Sequence, residues 1–179
     1  MSLLLAEKPK TRKIEVTPVY DKTATCDKKV VANVGGAGSS KSYSIAQLLI
    51  HKLVNEHNKV IGIGRKTFPA LRMTAYRLVK NLLIDYGIYD KGIHNKTEHT
   101  FTYQDNLIQF FSLDEPAKIR SAEFNYLWLE EAIEFSYDDF ITLKLRLRAS
   151  TREEEKNQMF LTSNPVDENS WLAKLCGAR

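Results

Sequence analysis

The stretch 30–42, VVANVGGAGSSKS, joins an apolar run to a glycine- and serine-rich segment that ends in Lys-Ser. Small residues let consecutive backbone N–H groups turn inward around phosphate oxygens, and a lysine adds positive charge. The pattern GxxxxGK[ST] is met at Gly35, Lys41 and Ser42, but Ser40 stands where the second glycine is usual. The stretch predicts a phosphate-binding loop, and a glycine-rich turn that binds nothing is the alternative.

Each part of this loop has an expected role. Lys41 is expected to contact phosphate, and the hydroxyl of Ser42 to reach a magnesium ion. A serine at position 40 is compatible with the loop if its backbone is in the right-handed α region, and it clashes if the loop needs a positive φ there. The residues expected to bind the nucleotide are Gly35, Gly36, Ala37, Gly38, Ser39, Ser40, Lys41 and Ser42.

A second apolar run, NYLWLEE at 125–131, ends in two adjacent carboxylates. In a magnesium nucleotide site, Glu130 is expected to hold the metal through its water shell, and Glu131 to orient or deprotonate a hydrolytic water. Glu130 stands where an aspartate is usual. Because paired acids also commonly lead a helix, it is their combination with the earlier loop that indicates a nucleotide site.

Further polar residues follow other predicted strands. Ser163 and Asn164 end a third apolar run, where short side chains can touch the γ-phosphate or its water. Arg65 ends a fourth, at the sheet edge that binds ligands in open α/β folds. Near the N-terminus, Tyr20 offers an aromatic ring that can pack against adenine, although packing against the sheet explains it equally well.

The elements that must position these residues are visible as hydrophobic patterns. A helix is predicted over 41–56 and a long one over 68–86, stopped by Gly87. Ser136 is expected to cap a helix that Arg146 and Arg148 close. The strands of a parallel sheet are predicted at 28–34, 59–64, 125–131 and 158–162, and a β-hairpin at 98–113.

The composition fits one domain of a globular chain, with residues 1–27 as an arm or leader strand and 28–179 as the nucleotide-binding domain. Lysine and arginine exceed the acids by 26 to 22, for a net charge of +4, which is compatible with a polyanionic partner. Cys26 and Cys176 have no metal-ligand spacing, and no signal peptide or membrane span is visible. We therefore expect an intracellular setting, no membrane partner, and histidines on the surface.

Four strings stand in one order along the chain: GGAGSSKS, GRKTFPALR, YLWLEEA and FLTSNP. Together they resemble the ATPase domain of the large terminase subunit, the genome-packaging motor of tailed bacteriophages, over roughly 30–171. The resemblance implies an α/β P-loop NTPase fold of the additional-strand, catalytic-glutamate (RecA-like) type, a mostly parallel sheet flanked by helices. It also implies that the strand at 59–64 lies between the two motifs.

In the family that this chain resembles, the roles fall on matching positions. Lys41 and Ser42 become the phosphate and Mg²⁺ contacts, Glu130 the metal carboxylate and Glu131 the catalytic base. Many relatives carry an arginine in the loop where this chain has Ala37, so an arginine from elsewhere must act as the finger. The coupling motif matches Thr162, Ser163 and Asn164; the expected finger is Arg120, with Arg146, Arg148 and Arg65 in reserve.

The resemblance also implies a function and partners. The expected activity is Mg²⁺-dependent ATP hydrolysis that powers translocation of double-stranded DNA into a procapsid, in the host bacterial cytoplasm. The expected partners are the portal protein, the small terminase subunit and copies of this chain in a ring, a pentamer in the working motor, although the isolated chain can be a monomer. Family members carry a nuclease domain after the ATPase domain, and this chain ends at Arg179, so we expect an excised domain or truncated product without nuclease activity.

Two alternatives stay open at this point. One is another nucleic-acid-stimulated P-loop ATPase, such as a helicase-like motor. The other is a nucleotide-binding assembly module in which Ser40 and the missing loop arginine have abolished turnover.

Overall fold

A computed structural model describes residues 13–90, 93–114, 119, 122–152, 155–165 and 167–177. The strands in this part of the chain are β1 (Val30–Val34), β2 (Val60–Arg65), β3 (His94–Asn95), β4 (Thr100–Tyr103), β5 (Asn106–Ser112), β6 (Tyr126–Glu130) and β7 (Gln158–Ser163). The α-helices are α1 (Pro18–Ala24), α2 (Lys41–Asn55), α3 (Phe68–Met73), α4 (Ala75–Asp85), α5 (Tyr137–Lys144) and α6 (Trp171–Leu175), and a 3-10 turn covers Ala132–Glu134.

All seven strands form one sheet in the order β1-β7-β6-β2-β5-β4-β3. The first five are parallel, while β4 pairs antiparallel with both β5 and β3. The predicted mixed α/β class, with a mostly parallel sheet and a hairpin, is confirmed. The strand at 59–64 lies between the two motifs along the chain, but in the sheet the strand between β1 and β6 is β7.

Apolar side chains bury both faces of this sheet. On one face, α2 and α4 cover a core that includes Trp128 and Phe160. On the other face, α5 and α6 cover a second core. A side chain at Gly62 or Gly64 would collide with the rings of Phe124 or Phe111, so the β2 glycines make room for this second core.

The N-terminal segment differs from its prediction. Pro18–Ala24 is helical rather than a leader strand, because Thr17 caps the helix by accepting a bond from the Tyr20 N–H and Pro18 occupies its first turn. The hydroxyl of Thr17 lies 2.5 Å from that of Ser44, which ties α1 to α2. Residues 1–12 of the predicted arm lie outside the described residues.

Two helix boundaries also differ. The helix predicted over 68–86 is broken at Thr74 (φ −116°, ψ −98°) into α3 and α4. The helix begun by Ser136 has the expected capping box with Asp139, but it ends at Lys144. Arg146 and Arg148 therefore follow the helix instead of closing it.

No helix in the described part of the chain is long and apolar enough to cross a membrane. Both cysteines are free thiols.

Candidate active site

The phosphate-loop candidate leaves the sheet at the carboxyl end of β1. The Gly35 N–H donates to the carbonyl of Ser163, 3.2 Å away at the end of neighbouring β7. The loop turns at Gly38, which has φ +78°, and its residues from Gly36 to Ser40 are exposed. The loop thus lies at the sheet edge where the other candidate residues end their strands.

Ser40 has the conformation that sequence reasoning expected to be unfavourable. Its φ is +58°, in the left-handed region, whereas the sequence analysis expected a right-handed α conformation to suit a serine here. The Ser40 carbonyl accepts bonds from the N–H and hydroxyl of Ser44, at 2.8 and 2.6 Å. These two bonds to the Ser40 carbonyl start α2 and hold the residue in its strained position.

The variant Ser40→Gly is therefore expected to stabilise the chain. The left-handed region costs an L-residue about 1–2 kcal/mol, and glycine loses about 0.5–1 kcal/mol more entropy on folding. The free energy of unfolding, measured by urea denaturation, should rise by about 0.5–1 kcal/mol. Ser39→Gly, where φ is not positive, is the control and should bring no gain; a loss with Ser40→Gly would contradict the strain.

Lys41 points its ammonium group into the loop. Its Nζ donates to the carbonyls of Gly35 (2.6 Å) and Gly36 (2.9 Å) and to the Ser39 hydroxyl (3.1 Å). A fourth contact, at 3.5 Å, reaches the side-chain oxygen of Asn164 beyond β7. The charge expected to meet phosphate is therefore held directly over the loop backbone.

Asn164 joins this lysine to the acid pair. While its Oδ1 faces Lys41, its Nδ2 donates to Glu131 Oε1 at 3.4 Å. Loop, coupling motif and acid strand come from positions far apart in sequence, and one side-chain amide connects them. The structure therefore brings together Lys41, Asn164 and Glu131, whose roles in catalysis stay predictions.

Glu131 stands just beyond the end of β6 with φ +48° and ψ +57°. A left-handed glutamate is strained, and such strain clusters at functional sites. The turn directs Glu131 toward Asn164, while Glu130, the last residue of β6, stays buried. Adjacent carboxylates thus reach different surroundings.

Among the described residues, the Glu130 carboxylate makes its polar contacts through one oxygen. Glu130 Oε2 accepts hydrogen bonds from the Thr74 hydroxyl and the Ala75 N–H (3.3 Å), and lies 3.9 Å from Arg65 Nη1. Burial raises the pKa of Glu130, against the lowering effect of Thr74 and Arg65. The metal-carboxylate candidate is therefore also bound to the N-terminus of α4.

Glu130 and Ser42 fit the magnesium ion that their motifs imply. Mg²⁺ prefers oxygen ligands and keeps several waters, so a hydroxyl and a carboxylate are suitable donors. Among the described residues, Glu130 Oε1 takes no hydrogen bond, which leaves an acceptor for a metal-bound water. Ser42, half-buried, is the second residue of α2.

The remaining predicted site residues differ in their hydrogen-bond partners. The Thr162 hydroxyl accepts a hydrogen bond from the Trp128 indole N–H at 2.9 Å, so it stabilises the core beside the site. The Ser163 hydroxyl is buried and has no hydrogen-bond partner among the described residues. Tyr20 Oη lies 3.1 Å from His51 Nδ1 on α2; its contact with adenine stays a prediction.

Two of the reserve arginines are engaged in ion pairs. Arg65 forms a two-pronged pair with Glu134, at 3.1 and 2.9 Å, and Arg148 pairs with Glu123 at 3.0 Å. The Nε of Arg146 is buried without a partner in the described part of the chain. Arg120 lies outside the described residues.

Sequence reasoning missed Thr74. Its hydroxyl donates to Glu130 and accepts from Arg65 Nη1 (3.2 Å), so it connects the acid strand with the α3–α4 break. A β-branched residue of low helix propensity inside a predicted long helix was the one available signal.

A family model and a curated relative identify the family of this chain. A family model described as phage terminase large subunit matches residues 27–176. The PBSX phage terminase large subunit of Bacillus subtilis (strain 168) is 32% identical over 141 residues, which cover 77% of this chain and 31% of that protein. This chain therefore spans about a third of the length of that relative.

Solved structures share the fold. The large terminase of a thermophilic bacteriophage superimposes with a TM-score of 0.73 at 16% identity, over 91% of this chain and 44% of that one. The same terminase in complex with ATP-gamma-S gives a TM-score of 0.68 at 16% identity, over 90% and 42%. The large terminase of bacteriophage HK97 gives 0.66 at 12% identity, over 92% and 36%. At this identity the likeness establishes the P-loop ATPase-domain fold alone.

Proposed function

Because the chain belongs to the phage terminase large subunit family, we propose that it is an ATP hydrolase that powers translocation of double-stranded viral DNA into a procapsid. In this proposal residues 28–179 form the P-loop ATPase domain. The observation that carries the proposal is the Asn164 amide, which lies between Lys41 and Glu131. That arrangement suits a site that senses the γ-phosphate and its attacking water together.

The proposed reaction assigns one step to each side chain. Glu131 takes a proton from water as the water oxygen attacks the γ-phosphorus, and the bond to ADP breaks. The loop N–H groups and Lys41 stabilise the charge that spreads over the phosphate oxygens. Asn164, in contact with both, positions the water and registers loss of the γ-phosphate.

Magnesium supplies charge neutralisation at the β- and γ-phosphates when it is bound. Ser42 and Glu130 are the residues that would hold it. Because Glu130 also binds Thr74 and the first N–H of α4, a shift of this carboxylate would be felt at that helix.

The working assembly is part of the same proposal. We infer a homo-oligomeric ring of five subunits that acts in the host bacterial cytoplasm, docked on the portal of the procapsid and supplied with DNA by the small terminase subunit. Because Ala37 leaves the loop without an arginine, Arg120 from a neighbouring subunit is the proposed finger. Such a finger makes the site complete only between subunits.

Nucleotide binding depends on Lys41 in this proposal. Lys41→Ala is expected to weaken binding of a fluorescent ATP analogue about a hundredfold or more, since the charge-assisted contact between lysine and phosphate is lost. Fluorescence titration with Mg²⁺ present measures the effect. Lys174→Ala, which removes an exposed charge on α6, is the matched control and should bind like the wild-type chain. If both variants bound the ATP analogue equally well, the assignment of this loop as a phosphate-binding loop would be wrong.

A further inference from the structure

Several cationic side chains lie together along α3, α4 and the turn after β3, and none of them was predicted as a site residue. An open groove of about 520 Å³ is bounded by α3, α4 and the segment around β3. Its cationic side chains are Arg72, Arg77, Lys80 and Lys96, and no carboxylate is among its described lining residues. We call this feature the basic groove.

The charges of the basic groove are not neutralised by acids. Among the described residues, none of the four cations forms an ion pair, and Arg72, Arg77 and Lys96 are exposed. By contrast Arg65, which precedes the same helices, is paired with Glu134. Four cations that no described acid pairs with, placed around one concave surface, raise the local concentration of anions.

The floor of the groove is aromatic and fixed. Tyr76 Oη and Tyr89 Oη lie 2.5 and 2.9 Å from the two nitrogens of His94. These bonds correct the expectation of a surface histidine, because they join β3 to α4 and hold the turn that bears Lys96 near Lys80. Burial lowers the pKa of His94, and the charges of Lys80 and Lys96 lower it further, which agrees with a positive field.

The lining rings also pack against each other or against rings of the core. The ring centroids of Phe68 and His99 are 4.2 Å apart, and those of Tyr76 and Phe110 are 4.7 Å apart. Rings engaged in this way form a wall rather than a free platform on which unpaired bases could stack. The ligand that fits is an extended polyanion held by its charges.

We propose that the basic groove binds the phosphate backbone of duplex DNA, an inference that rests on the proposed packaging function. Arginine and lysine side chains that form no ion pair with a described acid suit phosphate oxygens, which position a protein on DNA without reading its sequence. The groove is also joined to the nucleotide site, because α4 begins at Ala75, whose N–H donates to Glu130. Force on the DNA backbone would therefore act on the helix that Glu130 holds.

The test compares two variants of equal charge. Arg72→Gln/Arg77→Gln/Lys96→Gln removes three exposed cations of the groove, and Lys22→Gln/Lys28→Gln/Lys174→Gln removes three exposed lysines elsewhere. Binding of a labelled DNA duplex of mixed sequence to each chain is followed by fluorescence anisotropy across a salt series. At about 50 mM salt the groove variant should bind the duplex about tenfold or more weakly than the control variant. The logarithm of the association constant falls as the logarithm of the salt concentration rises, and the magnitude of this slope should be smaller by about two to three for the groove variant than for the control.

Further measurements on the same proteins distinguish the possible outcomes of the DNA-binding experiment. Equal duplex affinity of the two variants, or no duplex binding by the wild-type chain, overturns the proposal. Tighter binding of single-stranded DNA or of a polyglutamate peptide than of the duplex also overturns it, in favour of that partner. A fluorescent ATP analogue is titrated into the same three proteins: unchanged nucleotide binding shows that both variants are folded and leaves the proposed ATPase function standing whatever the DNA result.

Discussion

ATP turnover by Glu131→Gln is expected to fall by about two to four decades below that of the wild-type chain, the range that loss of a general base produces. The amide keeps the size of the side chain and can still face Asn164, but it cannot take a proton from water. Affinity for ATP should stay close to that of the wild-type chain, because Lys41 and the loop are unchanged. Steady-state phosphate release and nucleotide titration together measure the two effects.

Glu168→Gln is the matched control for this variant. Glu168 is exposed and lies after β7, outside the acid strand, so the same chemical change should leave turnover intact. If Glu131→Gln retained wild-type turnover, Glu131 could not be the base. If it lost ATP binding as well, its role would be structural.

Arg120→Ala is expected to lower turnover by about three to five decades, the effect measured for arginine fingers in other NTPases. Ala37 cannot stabilise the charge on the transferred phosphoryl group, and Arg65 and Arg148 are held by Glu134 and Glu123. A finger acting between subunits predicts complementation. Mixing Arg120→Ala with Glu131→Gln should restore part of the turnover, because a neighbour with an intact Arg120 can serve a site with an intact Glu131.

Arg148→Ala provides the comparison for the finger, since it removes an exposed arginine of the same chain. It should keep turnover near the wild-type level. Absence of rescue in mixed samples that do assemble would count against a finger in trans, and a larger loss with Arg148→Ala would move the assignment to that residue.

Much of the fold could be predicted because its elements carry strong local patterns. Apolar runs end at or near the observed bounds of β1, β2, β6 and β7, and the alternation around Asp105-Asn106 gives the antiparallel pair β4 and β5. The break at Thr74 could not be predicted in this way. It depends on bonds to Glu130 and Arg65, which are distant in sequence and become neighbours only when β2 and β6 pair.

The site was predicted by residue type and order more than by geometry. The loop and the acid pair were found because phosphate and magnesium chemistry need small residues, a cation and carboxylates at strand ends. Backbone angles were not accessible: Ser40 and Glu131 are both left-handed, although neither is the glycine that this conformation favours. The second contact of Asn164, which reaches Glu131 as well as Lys41, also required the folded sheet.

The basic groove was hidden for a similar reason. Arg72, Arg77 and Lys80 belong to the helices after β2, whereas Lys96 follows β3, so the four cations are not neighbours in the sequence. Their convergence depends on His94, which sequence reasoning placed on the surface and the structure places between two tyrosines.

Mg²⁺-dependent ATP turnover by the wild-type chain, measured over rising protein concentration with duplex DNA present, is the most direct test of the proposed motor function. The expected result is turnover well above that of Glu131→Gln that increases more steeply than protein concentration and is lost when Mg²⁺ is chelated. The contradicting result is a wild-type chain that binds ATP yet never exceeds Glu131→Gln at any concentration, with DNA and partner proteins present. That outcome would make the chain a nucleotide-binding assembly module.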